Sequence, residues 1–262
     1  PGAGKTTISV LKALRFAELR LQPEQSVLFL SFARASVTRL YEALDDAKRA
    51  SDVSATAIAV ETYHSFFWRV LRSHGYLLGL PRRLTVLAPP QEAIALSSLR
   101  SKAPPRSRMS DEETAQHAIK ERQVLEALAH EAGSIAFRLF APYVAHHFGQ
   151  SERLRKNYGQ RYPMIVLDEF QDTDDEQGRV VQSLGKHSQL LALADPEQRI
   201  YDWLGADPTR LEHFVEEFSA ETVDLGQKNH RSAGRDIAAF GNDVVLGRFQ
   251  QAVYKGIAIE RY

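Results

Sequence analysis

Four short apolar runs, Val27 to Leu30, Ala57 to Val60, Ile165 to Leu167 and Leu190 to Ala194, punctuate an otherwise mixed chain. Each has the length of a strand and none alternates with polar residues, which predicts strands covered on both faces, as in a parallel sheet. Between them apolar positions recur at helical spacing. Thr7 to Leu21 carries Val10, Leu14, Ala17 and Leu21 on one face, and Pro23 stops it. Strand, helix and strand in succession predict an α/β fold.

Residues 75–160 break that pattern. Pro81, Pro89, Pro90, Pro104 and Pro105 punctuate them, and Asp111 to Ala132 reads as a polar-faced helix with Ala118, Leu125, Leu128 and Ala132 inward. The expectation is an inserted, mostly helical subdomain. Its basic residues Arg153, Arg155, Lys156 and Arg161 suit either a phosphate contact or an ordinary solvated face.

With 262 residues, 44% of them hydrophobic and 25% charged, the chain is long enough for one or two compact domains. Lys plus Arg and Asp plus Glu both number 33, so any grip on a polyanion has to be local. The absence of Cys excludes disulfides and thiolate zinc sites. Neither an apolar run of about 18 residues nor a basic leader followed by an apolar stretch occurs, which leads us to expect a cytoplasmic location. The first residue, Pro1, falls inside a motif, so the natural N-terminus is expected upstream.

That motif is Pro1-Gly2-Ala3-Gly4-Lys5-Thr6-Thr7, the latter part of G-x-x-x-x-G-K-[ST]. Glycines let the backbone N–H groups wrap phosphates, the following helix presents its positive end, Lys5 neutralises β/γ charge and the Thr6 hydroxyl suits Mg²⁺. The opening Gly would lie two residues before Pro1. A Gly-rich turn before an ordinary helix is the bland alternative. A second candidate is the acidic strand end Asp168-Glu169: an ATP-hydrolysing site needs one carboxylate for Mg²⁺ and one to orient and deprotonate water. More broadly, Ser31, Phe32, Thr62, Tyr63, His64, Asp168, Glu169 and Asp195 to Gln198 all follow apolar runs, and ligands of open α/β sheets bind beyond the carboxyl ends of strands.

The longer string Asp168-Glu169-Phe170-Gln171-Asp172-Thr173 resembles the D-E-[FY]-Q-D-T hallmark of the UvrD/Rep family of superfamily 1A DNA helicases. Thr62-Tyr63-His64-Ser65-Phe66, the segment from Ala194 through Asp195, Gln198, Tyr201, Trp203 and Leu204 to Ala206, and Asn229-His230-Arg231-Ser232 are similar to further family motifs in the same order. Leu30-Ser31-Phe32-Ala33 is a looser match. The resemblance implies RecA-like P-loop motor domains: residues 1–74 and 161–222 as the ATP-binding motor domain, 75–160 as its insert, and 223–262 as the start of a second motor domain. ATP and Mg²⁺ would be held by Gly2, Ala3, Gly4, Lys5, Thr6, Thr7, Asp168 and His230, the last against adenine. Glu169, Gln198 and Arg231 would be catalytic. Single-stranded DNA, or a junction of single and double strands, would meet Phe32, Tyr63, His64, Tyr201 and Trp203. Aromatic faces suit that task because every base has a π-face. Phe32 and Tyr63 also suit a core position capping the sheet.

Two departures qualify the resemblance. Leu204 stands where the family has Arg, which puts coupling between DNA and hydrolysis in question, and His230 replaces a Tyr. The expected function is DNA-stimulated ATP hydrolysis. The alternative is a non-catalytic nucleotide- or DNA-binding module.

Overall fold

The computed structural model describes residues 4–48, 57–104, 108–195, 209–225, 236–248 and 253–257. Helix α1 (Lys5–Arg20) leads to strand β1 (Val27–Ser31), helix α2 (Arg34–Lys48) and strand β2 (Ile58–Thr62). Helix α3 (Tyr63–His74) follows directly, then strand β3 (Thr85–Leu87), helices α4 (Pro89–Ala95), α5 (Ser97–Ser101) and α6 (Asp111–Ala132), and strand β4 (Ser134–Ala136). After α7 (Phe140–Gln150) and α8 (Glu152–Arg161) come β5 (Met164–Leu167), α9 (Asp175–Gly185) and β6 (Gln189–Ala192). Helices α10 (Arg210–Phe218) and α11 (Ile237–Leu246) complete the described elements.

Four strands form one parallel sheet in the order β2-β1-β5-β6. The apolar runs are therefore strands, with small shifts of boundary: β2 runs on to Thr62, and β6 stops at Ala192. Central strands β1 and β5 are buried at every residue, while β2 and β6 are partly covered. Alternation along the pleat divides the core in two. Val27, Phe29, Met164 and Val166 pack with Val10, Ala13 and Leu14 of α1 and Leu40 and Leu44 of α2. Leu28, Leu30, Ile165 and Leu167 face Phe66, Phe67 and Val70 of α3, Val144 and Phe148 of α7, and Val180 and Val181 of α9. Burying such a side chain is worth about 1.5–3 kcal/mol, so helices on both faces are what make this uninterrupted apolar pattern stable.

The helix expected from Thr7 begins two residues earlier, at Lys5, on the glycine that ends the phosphate loop. Its inward face is Ser9, Val10, Ala13, Leu14 and Ala17. Helix α6 has the expected bounds, closed by a Ser110–Glu113 capping box and by Gly133 at φ 67°. Its expected face is corrected in part: Leu125 is buried and Leu128 packs against the core as expected, but Ala118 and Ala132 are exposed, and Glu121 and Ala129 point inward. The reason is electrostatic. Glu121, one turn from Leu125 on the same face, is gripped by Arg100 at 2.6 Å and Arg138 at 3.0 Å, so a carboxylate sits inward where a reading of apolar residues alone passes it over.

Residues between α3 and α7 also contain a short parallel pair, β3 with β4. Three of the four basic residues of α8 are engaged within the fold, while Arg153 is exposed: Arg155 bonds the carbonyls of Phe148 and Gly149 and the Glu152 carboxylate, Lys156 lies 3.6 Å from Glu152, and Arg161 bonds the Glu24 carbonyl. Arg155 thus braces the C-terminal end of α7 and Arg161 the turn at Glu24, a use that a charge run does not reveal. No helix among the described residues is long and apolar enough to cross a membrane.

Candidate nucleotide-binding site

Parallel register decides which side chains meet. Leu30 pairs with Leu167 and Leu167 with Ala192, so β1, β5 and β6 end at one level. The next residues are Ser31, Asp168 and, one step further, Leu193 to Asp195. The Asp168 N–H donates to the Leu30 carbonyl at 2.8 Å, carrying the strand geometry one residue past the sheet. Ser31 Oγ then donates to Asp168 Oδ2 at 2.9 Å. Burial, and next the charge of Glu169, push the Asp168 carboxyl above the ordinary aspartate range, against the pull of the Ser31 hydroxyl.

On the other side stands the start of α1. Gly4 takes φ 85°, a conformation that favours glycine, and nothing lies within 4 Å of where a Cβ would be. Its carbonyl accepts the first helical bond, from Ile8 N–H at 3.0 Å. The first turn has no acidic residue and no side-chain cap, so the positive end of a 16-residue helix stays uncompensated by protein. Such an end is suited to an anion. Lys5 Nζ reaches Asp195 Oδ2 at 2.9 Å, the two side chains being 26% and 11% exposed. Thr6 is half-buried beside it and Thr7 is exposed.

Glu169 adopts φ 50°, ψ 44°, left-handed values that cost a non-glycine residue about 1–3 kcal/mol and persist only where surroundings enforce them. Two enforcers are visible. Phe170 N–H donates to the Leu193 carbonyl at 3.0 Å, and Gln171 Nε2 donates to Glu169 Oε2 at 2.9 Å. Gln171 Oε1 meanwhile accepts the Asp195 N–H at 3.1 Å. Lys5, Asp195, Gln171 and Glu169 are thereby joined in one line.

The aromatic candidates separate. Phe32 is half-buried and its ring lies 5.1 Å from that of Tyr63. Tyr63 itself is in the core, 1% exposed, with a hydroxyl that has no hydrogen-bond partner among the described residues. Of the two positions its sequence allowed, the structure shows the buried one. His64 is exposed and meets Phe137 edge-on at 5.8 Å. Phe137 is 41% exposed and rests on Phe140, which stacks on Trp68 at 5.3 Å and 18°.

Of the residues singled out from sequence, Gly4, Lys5, Thr6, Thr7, Asp168 and Glu169 gather at the strand ends. Gly2, Ala3, Gln198, Tyr201, Trp203, His230 and Arg231, and also Leu204, lie outside the described residues. Ser31 and Gln171 join the site without a role assigned to them from sequence, although each is polar and lies just beyond a buried strand, which is the available signal. Phe137 carried none, because its neighbour His64 is remote in sequence.

Comparison with known proteins agrees with this arrangement. The profile of the UvrD/REP helicase N-terminal domain matches residues 1–127 and 90–219. DNA helicase II of Haemophilus influenzae is 27% identical over 259 residues, which cover 88% of this chain and 35% of that protein. DNA helicase II of Escherichia coli is 24% identical, with 91% of this chain and 36% of that protein covered. The ATP-dependent DNA helicase PcrA of Bacillus subtilis is 23% identical, with 93% and 36% covered. The chain thus spans about a third of the length of these relatives. A match over most of the sequence places this chain in the UvrD/REP helicase family, in the region of its N-terminal domain.

Proposed function

We propose that the protein is a DNA motor that hydrolyses ATP with Mg²⁺ when single-stranded DNA, or its junction with a duplex, is bound. The observation that carries this reading is the linkage at the carboxyl ends of the parallel strands, where Lys5, at an uncapped helix N-terminus, bonds Asp195, Asp195 is joined through Gln171 to Glu169, and Asp168 is held by Ser31. The residues fit both groups. Open space at Gly4 admits a phosphate against α1, and the Thr6 hydroxyl and Asp168 carboxylate are hard oxygen donors of the kind Mg²⁺ takes. Bound there, Mg²⁺ would supply charge neutralisation to the phosphates and to buried Asp168.

The chain's own residues then have separable tasks. Lys5 exchanges Asp195 for the β/γ-phosphates. The first-turn N–H groups of α1 hold phosphate oxygens. Glu169, with Oε2 held by Gln171, uses its other oxygen to orient the attacking water and take its proton. By the family resemblance Gln198 and Arg231 would act on the γ-phosphate, and His230 would stack on the base of ATP.

On the DNA side, Phe32 backed by Tyr63, and His64 with Phe137, offer ring surface, and by the family resemblance Tyr201 and Trp203 would contact the same strand. Residues 1–74 and 161–222 would be the ATP-binding motor domain and 223–262 the start of a second. The segment 75–160 would be the insert, its α7 and α8 returning to pack on the motor sheet. The test is ATP turnover by the whole protein with and without a single-stranded oligonucleotide, alongside Glu169→Gln. Stimulation by DNA, and a fall of about 10²–10⁴-fold in the variant, are expected. Equal rates with and without DNA, or an unimpaired variant, would overturn the reading in favour of a binding module.

A further inference from the structure

We infer that Gln171 is a positioning residue, which ties the orientation of the Glu169 carboxylate to the occupancy of Lys5. The inference rests on the ATPase reading above and assigns a task to a side chain which that reading leaves unexplained.

Gln171 is 1% exposed, and its amide is used at both ends. Nε2 donates to Glu169 Oε2 at 2.9 Å and to Asp172 Oδ2 at 3.3 Å, while Oε1 accepts the Asp195 N–H at 3.1 Å. The orientation of the amide is dictated by chemistry. Carboxylates only accept and a backbone N–H only donates, so a flipped amide would lose all three bonds. Only a side chain with donors and an acceptor on one planar group can join those two neighbours.

The sheet does not need this bond. Strands β5 and β6 are already linked past their ends by Leu193 N–H to the Leu167 carbonyl at 2.8 Å and Phe170 N–H to the Leu193 carbonyl at 3.0 Å. What Gln171 adds is a connection between the Glu169 side chain and the backbone of Asp195, whose own carboxylate holds Lys5 at 2.9 Å. A phosphate that draws Lys5 away removes that ion pair from the Asp195 side chain. Any resulting shift of the Asp195 N–H reaches Glu169 through a single amide. Because Glu169 already sits in a left-handed conformation, its carboxylate has few other ways of being steered.

The experiment uses the whole protein, saturating single-stranded oligonucleotide, and the variants Gln171→Met and Gln171→Glu, with thermal melts as the folding control. Gln171→Met keeps length and burial but has no donor for Glu169. We expect its kcat to fall about 10- to 100-fold, the worth of one lost hydrogen bond to a charged group, while ADP affinity stays within about threefold. Gln171→Glu restores a donor only when its new carboxyl is protonated. Its rate relative to wild type should therefore climb as pH falls from 8 to 5.5, which a merely structural role would not produce, and that ratio decides the matter even if Gln171→Met fails to fold. A wild-type kcat in Gln171→Met, ADP affinity falling in step with kcat, or a flat or falling ratio for Gln171→Glu would overturn the inference alone. Absence of turnover in the wild-type protein would overturn the ATPase reading, and the inference with it.

Discussion

Lys5 and Asp195, 190 residues apart in sequence, are held 2.9 Å apart at the mouth of the site. The pair is only partly exposed, so it is a genuine competitor for the lysine that phosphate chemistry requires.

Asp195→Asn should therefore tighten ADP binding about two- to fivefold at low salt, the range that a partly exposed ion pair is worth. Lys5→Met should weaken it tenfold or more. Titration calorimetry of both variants checks this. Weaker ADP binding by Asp195→Asn would mean that the carboxylate serves the nucleotide and does not restrain the lysine.

Asp168 is a place where function costs stability. Its carboxyl titrates above the ordinary aspartate value in the fold, mainly through burial and then through Glu169. A group raised in this way favours the folded state at pH below its unfolded value, and that contribution is lost as pH rises through the folded one. At neutral pH the buried charge is then a burden. Asp168→Asn should raise the melting temperature at pH 7 by about 2–4 °C, the shift that roughly 1 kcal/mol gives for a chain of this size, while abolishing Mg²⁺-dependent turnover. The gain should vanish near pH 3.5, where wild-type Asp168 is neutral too. A melting temperature unchanged or lowered at pH 7 would contradict the burial effect.

The aromatic face makes a prediction about DNA. Phe137 is 41% exposed and touches His64, so Phe137→Ala should weaken binding of a single-stranded oligonucleotide about 5- to 100-fold, corresponding to roughly 1–3 kcal/mol per stacked base. Tyr63→Phe, which removes only a buried hydroxyl, should leave binding unchanged. Fluorescence anisotropy with a labelled oligonucleotide of mixed sequence distinguishes the two. Equal effects from both variants would remove Phe137 from the interface.

Acid should loosen the face of the sheet that α3 and α7 cover. His147 is 4% exposed with a buried Nε2 that lacks a partner, and the His74 ring lies 6.3 Å away. Burial pulls both imidazoles below the ordinary histidine value, and for His147 the neighbouring His74 and His146 add to it. The unfolded chain then takes up protons that the fold refuses. Stability from this source is complete above about pH 6.5 and declines as pH falls towards the folded values. The urea midpoint should drop between pH 7 and pH 5, and His147→Gln should flatten that slope. An identical slope in the variant would place the acid sensitivity elsewhere.

Much of this was legible in the chain. Val27 to Leu30 and Ile165 to Leu167 are apolar without alternation because both faces of a central parallel strand are covered, whereas a strand with one wet face would alternate. Helix α6 marks where legibility stops. Its ends are set by Ser110, Glu113 and Gly133, which act locally, but its inward face is set by Arg100 and Arg138, which come from other elements. Arg155 and Arg161 are opaque for the same reason, since the carbonyls they satisfy belong to the last turn of α7 and to Glu24, whose positions no charge pattern encodes.

By itself the sequence determined the parts that depend on near neighbours: which runs are strands and that a helix follows the glycines at the start of the chain, with Lys5, Asp168 and Glu169 as the candidates for phosphate chemistry. Tertiary structure alone decided how they act on one another. The order β2-β1-β5-β6 brings Ser31 to Asp168 and Asp195 to both Lys5 and Gln171. Those meetings follow from strand register, which is fixed by burial across the whole sheet rather than by any local stretch, so Ser31, quiet in sequence, and Gln171, present in a motif but without an assigned task, become central once the strands are laid side by side.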